Sequence, residues 1–255
     1  MSDPTQRFSS RVDNYARYRP SYANAAIELL RARCGLAPGA SVAEVGSGTG
    51  ILTRQLLACG AQVFAVEPND GMRGAAEAML GAQAGFRSIA GTAEETGLPA
   101  QSIDLYVAGQ AFHWFAPAAA RCEALRIVRS GGFGALLWNE HRCEDSSFLA
   151  GYRALLLRHA AEFEGIAARR CDEPAMREFF GGAMECAHFA NAQAYGFEAL
   201  HGRLMSSSYA PEPGDPQHEP MIAGLRALFD AHARNGVVEF PYRTLVYFSQ
   251  LKPVG

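Results

Sequence analysis

A chain of 255 residues, 49% of them hydrophobic, is long and apolar enough for one sizeable α/β core, which excludes a disordered chain. A net charge of −3 gives no basic footprint for nucleic acid or an anionic membrane, and no apolar run reaches bilayer length. The polar opening MSDPTQRFSSR lacks the apolar centre of a signal peptide, so the expectation is a cytoplasmic monomer or homodimer with no nucleic-acid and no membrane partner.

The first 20 residues read as a polar arm with aromatic punctuation, and Tyr22–Cys34 as a helix stopped by Gly35. Strand and helix then alternate. Ser41–Val45 is the first strand, Gly50–Ala58 a helix, Gln62–Val66 the second strand and Asp70–Leu80 a helix. Phe86–Ile89 and Ile103–Ala108 are the third and fourth strands, Ala118–Val128 is a helix, and Gly131-Gly132 turns into a fifth strand, Phe133–Trp138. This rhythm implies a mostly parallel sheet with helices on both faces. Beyond it, Phe148–Phe163 reads as a helix, Met184–Phe189 as a sixth strand, and Tyr195–Asn235 as two helices around the Pro/Gly-rich loop Ala210–Pro220. Thr244–Leu251 alternates like a last strand, which makes the helical insertion before it a candidate lid.

The six cysteines, at 34, 59, 122, 143, 171 and 186, form no CxxC pair and read as reduced, mostly buried thiols. No carboxylates or histidines cluster at ligand spacing, so no metal is expected. The single lysine, Lys252, excludes a GxxxxGK[ST] phosphate loop.

The most informative stretch is V42-A-E-V-G-S-G-T-G-I51, with glycines at 46, 48 and 50 between a strand and a helix. A dinucleotide loop, GxGxxG, would place its third glycine at 51, where this chain has Ile51. Glu44 ends the strand two residues before the first glycine. A pyrophosphate has no use for a carboxylate there, whereas S-adenosylmethionine (SAM), with its ammonium and sulfonium, does. Glu67 ends the second strand in F64-A-V-E-P-N69, about 20 residues on, where an acid accepts from ribose hydroxyls.

These residues resemble the class I SAM-dependent methyltransferases, in the type 11 branch that includes the trans-aconitate-type enzymes. The resemblance runs through E44-V-G-S-G-T-G50, E67-P68, G91-T-A-E-E95, H113-W114 and R129-S-G-G132. It extends to Y15-A-R-Y-R-P-S-Y22, S206-S-S-Y-A-P211 and Y242-R-T-L-V-Y247, and so covers nearly the whole chain. It implies a Rossmann-like, seven-stranded, mostly parallel sheet with an antiparallel last strand, in a single domain. Residues 1–35 would be an N-terminal flap and helix, 36–142 the SAM-binding core, and 193–240 the lid. It also implies that Gly46, Ser47, Gly48 and Gly50 meet the methionine part of SAM and that Glu67, with Pro68, holds the ribose. Thr92 and Ala93 would lie along the adenine, with threonine standing where many relatives have aspartate. Met72 would cover the adenine face or simply pack in the core. Gly109 and Gln110, at the end of the fourth strand, belong to the same implied cofactor site.

The acceptor would sit beyond the fourth and fifth strands. His113 there is a base, a substrate-orienting donor, or a histidine satisfied by backbone beside Trp114. Asn139, Glu140 and His141 end the fifth strand towards the same place, with solvated loop polar groups the preferred reading for Glu140 and His141. Tyr15, Tyr18 and Arg19 form either a flap over the cofactor, with Arg19 on the methionine carboxylate, or a docked surface arm. Ser206, Ser207 and Ser208 line the acceptor pocket or cap a helix, with capping preferred, and Tyr209 is assigned to the pocket. The expectation is methyl transfer to oxygen, nitrogen or carboxylate of a small molecule. The alternatives are a protein or RNA methyltransferase, or a SAM-binding protein without catalysis; a nicotinamide oxidoreductase is disfavoured by Ile51.

Overall fold

The structure, a computed structural model, describes residues 14, 17–141, 146–165 and 172–252. Its elements in chain order are α1 (Asn24–Arg33), β1 (Ser41–Val45), α2 (Ile51–Ala58), β2 (Gln62–Val66), α3 (Asp70–Leu80), β3 (Phe86–Ile89) and β4 (Ile103–Gly109). A 3-10 turn, Phe112–Trp114, leads to α4 (Pro117–Ile127), β5 (Val128–Glu140), α5 (Ser147–His159) and α6 (Glu173–Phe180). The chain continues through β6 (Glu185–Tyr195), α7 (Phe197–Met205), α8 (His218–His232) and β7 (Val238–Gln250).

The strands form one seven-stranded sheet in the order β3-β2-β1-β4-β5-β7-β6. β1 to β5 pair in parallel, while β7 runs antiparallel to both β5 and β6. The predicted mostly parallel sheet with an antiparallel last strand is therefore the observed one. Strand order reverses between β1 and β4, and a cleft opens there at the carboxyl ends of the strands, as open α/β sheets dictate.

Side chains alternate along the strands and divide the interior in two. Leu105 and Val107 of β4 and Ala135 and Leu137 of β5 pack with residues of α1, α2 and α3 on one face. Tyr106, Ala108, Leu136 and Trp138 pack with Ala120 and Ala124 of α4 and Phe179 and Phe180 of α6 on the other. A third apolar cluster, with Tyr152 and Leu156 of α5, Leu200 and Leu204 of α7 and Met221 and Leu225 of α8, lies over the far ends of β6 and β7. This cluster is the helical insertion expected before the last strand, with α5 added to it.

Several boundaries differ from the sequence-based ones. Helix α2 starts at Ile51, with Gly50 as its N-cap in a left-handed conformation. The fifth strand begins at Val128 and runs on through Gly131-Gly132. β6 runs on to Tyr195 and β7 begins at Val238, ahead of Pro241. Helix α6 was not foreseen, although Asp172 caps it by accepting from the Ala175 amide (3.2 Å), Pro174 lies in its first turn, and Gly181 ends it.

Candidate cofactor and acceptor site

The turn after β1 shapes the cleft through its backbone. Gly46 has φ +68°, and a Cβ there would lie 2.5 Å from that of Ala111, so only glycine fits. Four amides of the turn are already committed. Gly46 N and Ser47 N donate to the Val66 carbonyl (2.9 and 3.1 Å), Gly48 N donates to Glu67 Oε2 (2.9 Å), and Gly50 N donates to the Ser47 carbonyl (3.0 Å). Those amides are turned inwards to tie the β1 and β2 ends together, and do not form a phosphate cradle.

Two carboxylates take their place. Glu67 is 8% exposed, and its second oxygen accepts from the Asn69 amide (2.9 Å). Each oxygen keeps acceptor capacity on the cleft side, because a carboxylate has about four acceptor sites in all. Burial pushes the Glu67 carboxyl above its ordinary range, against the pull of its bonds to Asn69 and Gly48. Glu44 is deeper, 2% exposed, and accepts from Thr53 Oγ1 at 2.5 Å. Burial pushes it up to about 8, with the Thr53 hydroxyl opposing and the neighbouring Glu67 charge adding.

The cleft has two adjoining parts. The larger is lined by Gly46, Gly48, Glu67, Pro68, Asn69, Met72, Thr92, Ala93, Glu94, Gly109, Gln110, Ala111, Trp114 and Phe115. The smaller is lined by Arg19, Pro20, Tyr22, Glu44, Ser47, Ile51 and Leu52, and shares Gly46, Gly48, Gly109 and Gln110 with the first. Asn69 caps α3 by accepting from the Met72 amide (2.9 Å), which sets Met72 against the cavity. The Thr92 hydroxyl accepts from Glu95 N (3.1 Å), and Thr96 anchors the same loop to α4 through two bonds to Glu123. Gln110 holds φ +59°, fixed by its amide on the Leu137 carbonyl (2.9 Å) and by its side chain on the Asn139 carbonyl (3.0 Å).

Eleven of the twelve residues expected at the cofactor thus line the cleft; Gly50 does not, and packs at the head of α2 towards Leu80. The acceptor assignments fare less evenly. Trp114 lines the larger cavity, and the His113 ring lies 4.8 Å from the Trp114 ring on the adjoining turn. Tyr15 falls outside the described residues. Tyr18 packs on Gly202 of α7, and its carbonyl accepts from the Tyr195 hydroxyl (3.0 Å). Asn139 is buried in a polar knot, donating to the Ser21 carbonyl (3.1 Å) and accepting from Thr244 Oγ1 (2.6 Å). Tyr209 is buried against Phe163, with ring centroids 5.2 Å apart. His113, Tyr18, Asn139 and Tyr209 line neither cavity.

Arg19 lines the smaller cavity and also grips the cap, donating to Ser206 Oγ (2.8 Å), the Ser206 carbonyl (3.1 Å) and Ser207 Oγ (3.2 Å). Ser206 follows the last residue of α7 and donates to the Arg203 carbonyl (2.6 Å), so the serines cap the helix and receive the arginine as well. Sequence reasoning missed Phe115, Asn69 and Ala111 in the cleft. The motif F64-A-V-E-P-N69 carried a signal for Asn69, a helix N-cap type followed by an acid; nothing in the pattern singled out Phe115. Among the described residues, no three His, Cys, Asp or Glu side chains gather to hold a metal, and no helix is long and apolar enough to cross a membrane.

Residues 43–136 match a family model described as a methyltransferase domain. An uncharacterized methyltransferase of Mycobacterium tuberculosis is 39% identical over 137 residues, 54% of each chain, so this chain spans about half the length of that relative. An uncharacterized methyltransferase of Schizosaccharomyces pombe is 26% identical over 258 residues, 97% of this chain and 98% of the relative. Among solved structures, a provisionally named type II methyltransferase from Anaeromyxobacter dehalogenans superposes with a TM-score of 0.62 at 21% identity, covering 93% of this chain and 100% of its own. Haemonchus contortus phosphoethanolamine N-methyltransferase 2, in complex with phosphomonomethylethanolamine and S-adenosylhomocysteine, superposes with a TM-score of 0.56 at 12% identity, over 96% of this chain and 58% of its own. Over residues 43–136 the chain is therefore similar to a methyltransferase domain, and its sheet has the Rossmann-like α/β fold of those solved structures.

Proposed function

We propose that this protein is a SAM-dependent methyltransferase, in the trans-aconitate-type branch, that methylates oxygen, nitrogen or carboxylate of a small organic molecule. The observation that carries this is the polarity of the glycine turn: four of its amides are spent on Val66, Glu67 and Ser47, and two buried carboxylates stand where a pyrophosphate would need donors. Such a site suits a ligand that brings hydroxyls and positive charge, and disfavours a dinucleotide. SAM supplies an activated methyl group on a sulfonium when bound.

The chain's own part is to hold, orient and shield. Glu67 would accept from the ribose hydroxyls, Met72 and Phe115 on the wall of the larger cavity would give the adenine apolar contact, and Glu44 on the smaller cavity would meet positive charge. In-line transfer of a methyl group asks mainly for alignment and exclusion of water. Trp114 lines the larger cavity and His113 is its neighbour on the same turn, so in this reading His113 orients the acceptor or takes its proton.

Calorimetry tests the assignment. SAM and S-adenosylhomocysteine bind, NAD does not bind comparably, and Glu67→Ala weakens both SAM ligands by about 1.5–3 kcal/mol. His113→Ala leaves that affinity intact and lowers turnover on an acceptor found by screening metabolite pools. Unchanged binding in Glu67→Ala removes the ribose assignment. Binding with no turnover on metabolites, RNA or protein favours a SAM-binding protein without catalysis.

A further inference from the structure

The aromatic motif Y18-R-P-S-Y22 lies in the segment before α1, and Tyr22 in it is held more tightly than packing alone requires. Its amide donates to Gln55 Oε1 (3.0 Å) and its carbonyl accepts from Gln55 Nε2 (2.8 Å), so one side chain of α2 clamps both polar groups of its backbone. On one side, the Ser21 carbonyl accepts from Asn139 (3.1 Å) and Asn191 (2.8 Å). On the other, the Ala23 amide donates to Thr244 Oγ1 (3.2 Å). Three consecutive residues are thereby fixed to α2, β5, β6 and β7, which is the kind of support that holds a functional side chain in one geometry.

The hydroxyl is what this support aims. A Cβ on Gly109 would lie 2.4 Å from the Tyr22 hydroxyl oxygen, so that oxygen sits directly over the glycine at the end of β4. Gly109 belongs to the wall of both parts of the cleft, and Tyr22 to the smaller part. In SAM the sulfur is the atom that joins the methionine and adenosyl halves, so it belongs where two such parts meet. Its positive charge polarises the C–H bonds of the carbons attached to it, and a phenol oxygen is an acceptor for such groups.

We propose that Tyr22 is a positioning residue that reads the sulfonium through its hydroxyl oxygen, and that Gly109 is glycine to let that oxygen reach the junction. This rests on the SAM reading above. It carries a signature that wall packing does not have. The methylated cofactor has the charge and the polarised methyl, whereas S-adenosylhomocysteine has a neutral sulfur; the hydroxyl therefore favours the first over the second.

The test compares Tyr22→Phe with wild type by calorimetry, using SAM, S-adenosylhomocysteine and sinefungin, which carries an ammonium near the sulfonium position. The change removes one oxygen and keeps the ring, and thermal melting checks that the fold is intact. SAM and sinefungin should bind about 2- to 5-fold more weakly, as expected for one or two C–H···O or charge–dipole contacts, with S-adenosylhomocysteine unchanged. Gln55→Leu, which releases the clamp without touching the hydroxyl, should give a smaller loss of the same selective kind. Equal weakening of all three ligands, or no change in any, overturns the proposal and leaves Tyr22 as part of the wall. Failure of wild type to bind either SAM or S-adenosylhomocysteine would instead remove the SAM reading itself.

Discussion

Glu44 is a carboxyl whose charge state near neutral pH the fold controls. In the unfolded chain it ionises near the ordinary glutamate value, but in the folded protein burial holds it protonated up to about 8. As pH rises from about 4.5 to about 8, the unfolded chain gives up this proton while the folded one keeps it. Stability from this group therefore falls across that window and is level outside it, by about 2–5 kcal/mol in total. Glu44→Gln, which keeps the shape and removes the titration, should flatten the fall of Tm between pH 5 and pH 8. A cationic ligand beside Glu44 pulls its pKa back down, so SAM binding at pH 7 should release up to about one proton from the wild type and none through this group in the variant. Calorimetry in two buffers of different ionisation enthalpy reads the difference directly; equal proton release by both proteins would show that Glu44 does not face the bound charge.

Between the elements, the loop after β3 depends on α4 more than its own sequence suggests. Glu123 of α4 accepts from Thr96 N (2.9 Å), Thr96 Oγ1 (2.5 Å) and two guanidinium nitrogens of Arg126 (both 2.7 Å), and these bonds hold its carboxyl down to about 2, with Arg126 the largest cause. Its contribution is present above about pH 4.5 and is lost as pH falls from there towards 2. Glu123→Gln should cost about 2–4 kcal/mol at neutral pH and loosen the stretch that carries Thr92 and Ala93, seen as faster amide exchange over residues 91–98. Unaltered exchange there would mean that the loop is held by its own turns.

The elements also show what a sequence reveals and what it hides. β1, β2 and β3 were legible to the residue, because short apolar strands between Gly-rich and polar turns leave little choice of register. β6 was half missed: E185-C-A-H-F-A-N-A-Q-A-Y195 alternates in burial, but its more buried positions beyond Phe189 are the polar Asn191 and Gln193, while Ala190, Ala192 and Ala194 fall on the exposed side, so the hydrophobic alternation fades there. Pro241 hid the start of β7. It pairs with Ala192 of β6 and lies two residues before Arg243, the first residue of β7 with a described partner on β5. At the cleft, the glycine turn and the acids on its wall were legible because backbone geometry dictates glycines and acids at strand ends. The positions of Asn139, Ser206 and Tyr209 were not, because contacts between segments far apart in the chain place them.

Taken whole, the molecule has two cores on the sheet faces and a third in the cap, and the third is organised around a cation. Arg203 is 3% exposed and donates to the hydroxyls of Tyr242 (2.5 Å) and Tyr152 (3.1 Å), with the Phe240 ring centroid 4.1 Å from its guanidinium carbon. These partners come from α5 and β7, so one side chain of α7 joins three pieces of the cap by cation–π contact and hydrogen bonding. Arg203→Ala should destabilise by about 2–4 kcal/mol. Hydrogen exchange should then quicken in 147–159, 197–205 and 238–242 while 41–66 keeps its protection, because separately packed clusters open separately. A uniform loss of protection across the sheet would show that cap and sheet open as one unit.

The way the cap joins the sheet has a consequence for how its chemistry can be altered. β6 and β7 are antiparallel neighbours whose pairing runs from Glu185 opposite Phe248 to Tyr195 opposite Val238. The insertion of α7 and α8 therefore leaves and re-enters the sheet at two facing residues, as the tip of a hairpin does. A segment hung on such a pair of points can be lengthened, shortened or exchanged without shifting the register below it, because the closure entropy of a loop grows only slowly with its length. The residues of the glycine turn, Glu44 and Glu67 stand on β1 and β2, several strands away from that graft point. The insertion can thus be exchanged without moving β1 or β2, its tie to the cleft being the grip of Ser206 and Ser207 on Arg19, which makes the Tyr195–Val238 pair a natural splice point for building chimaeras from this scaffold.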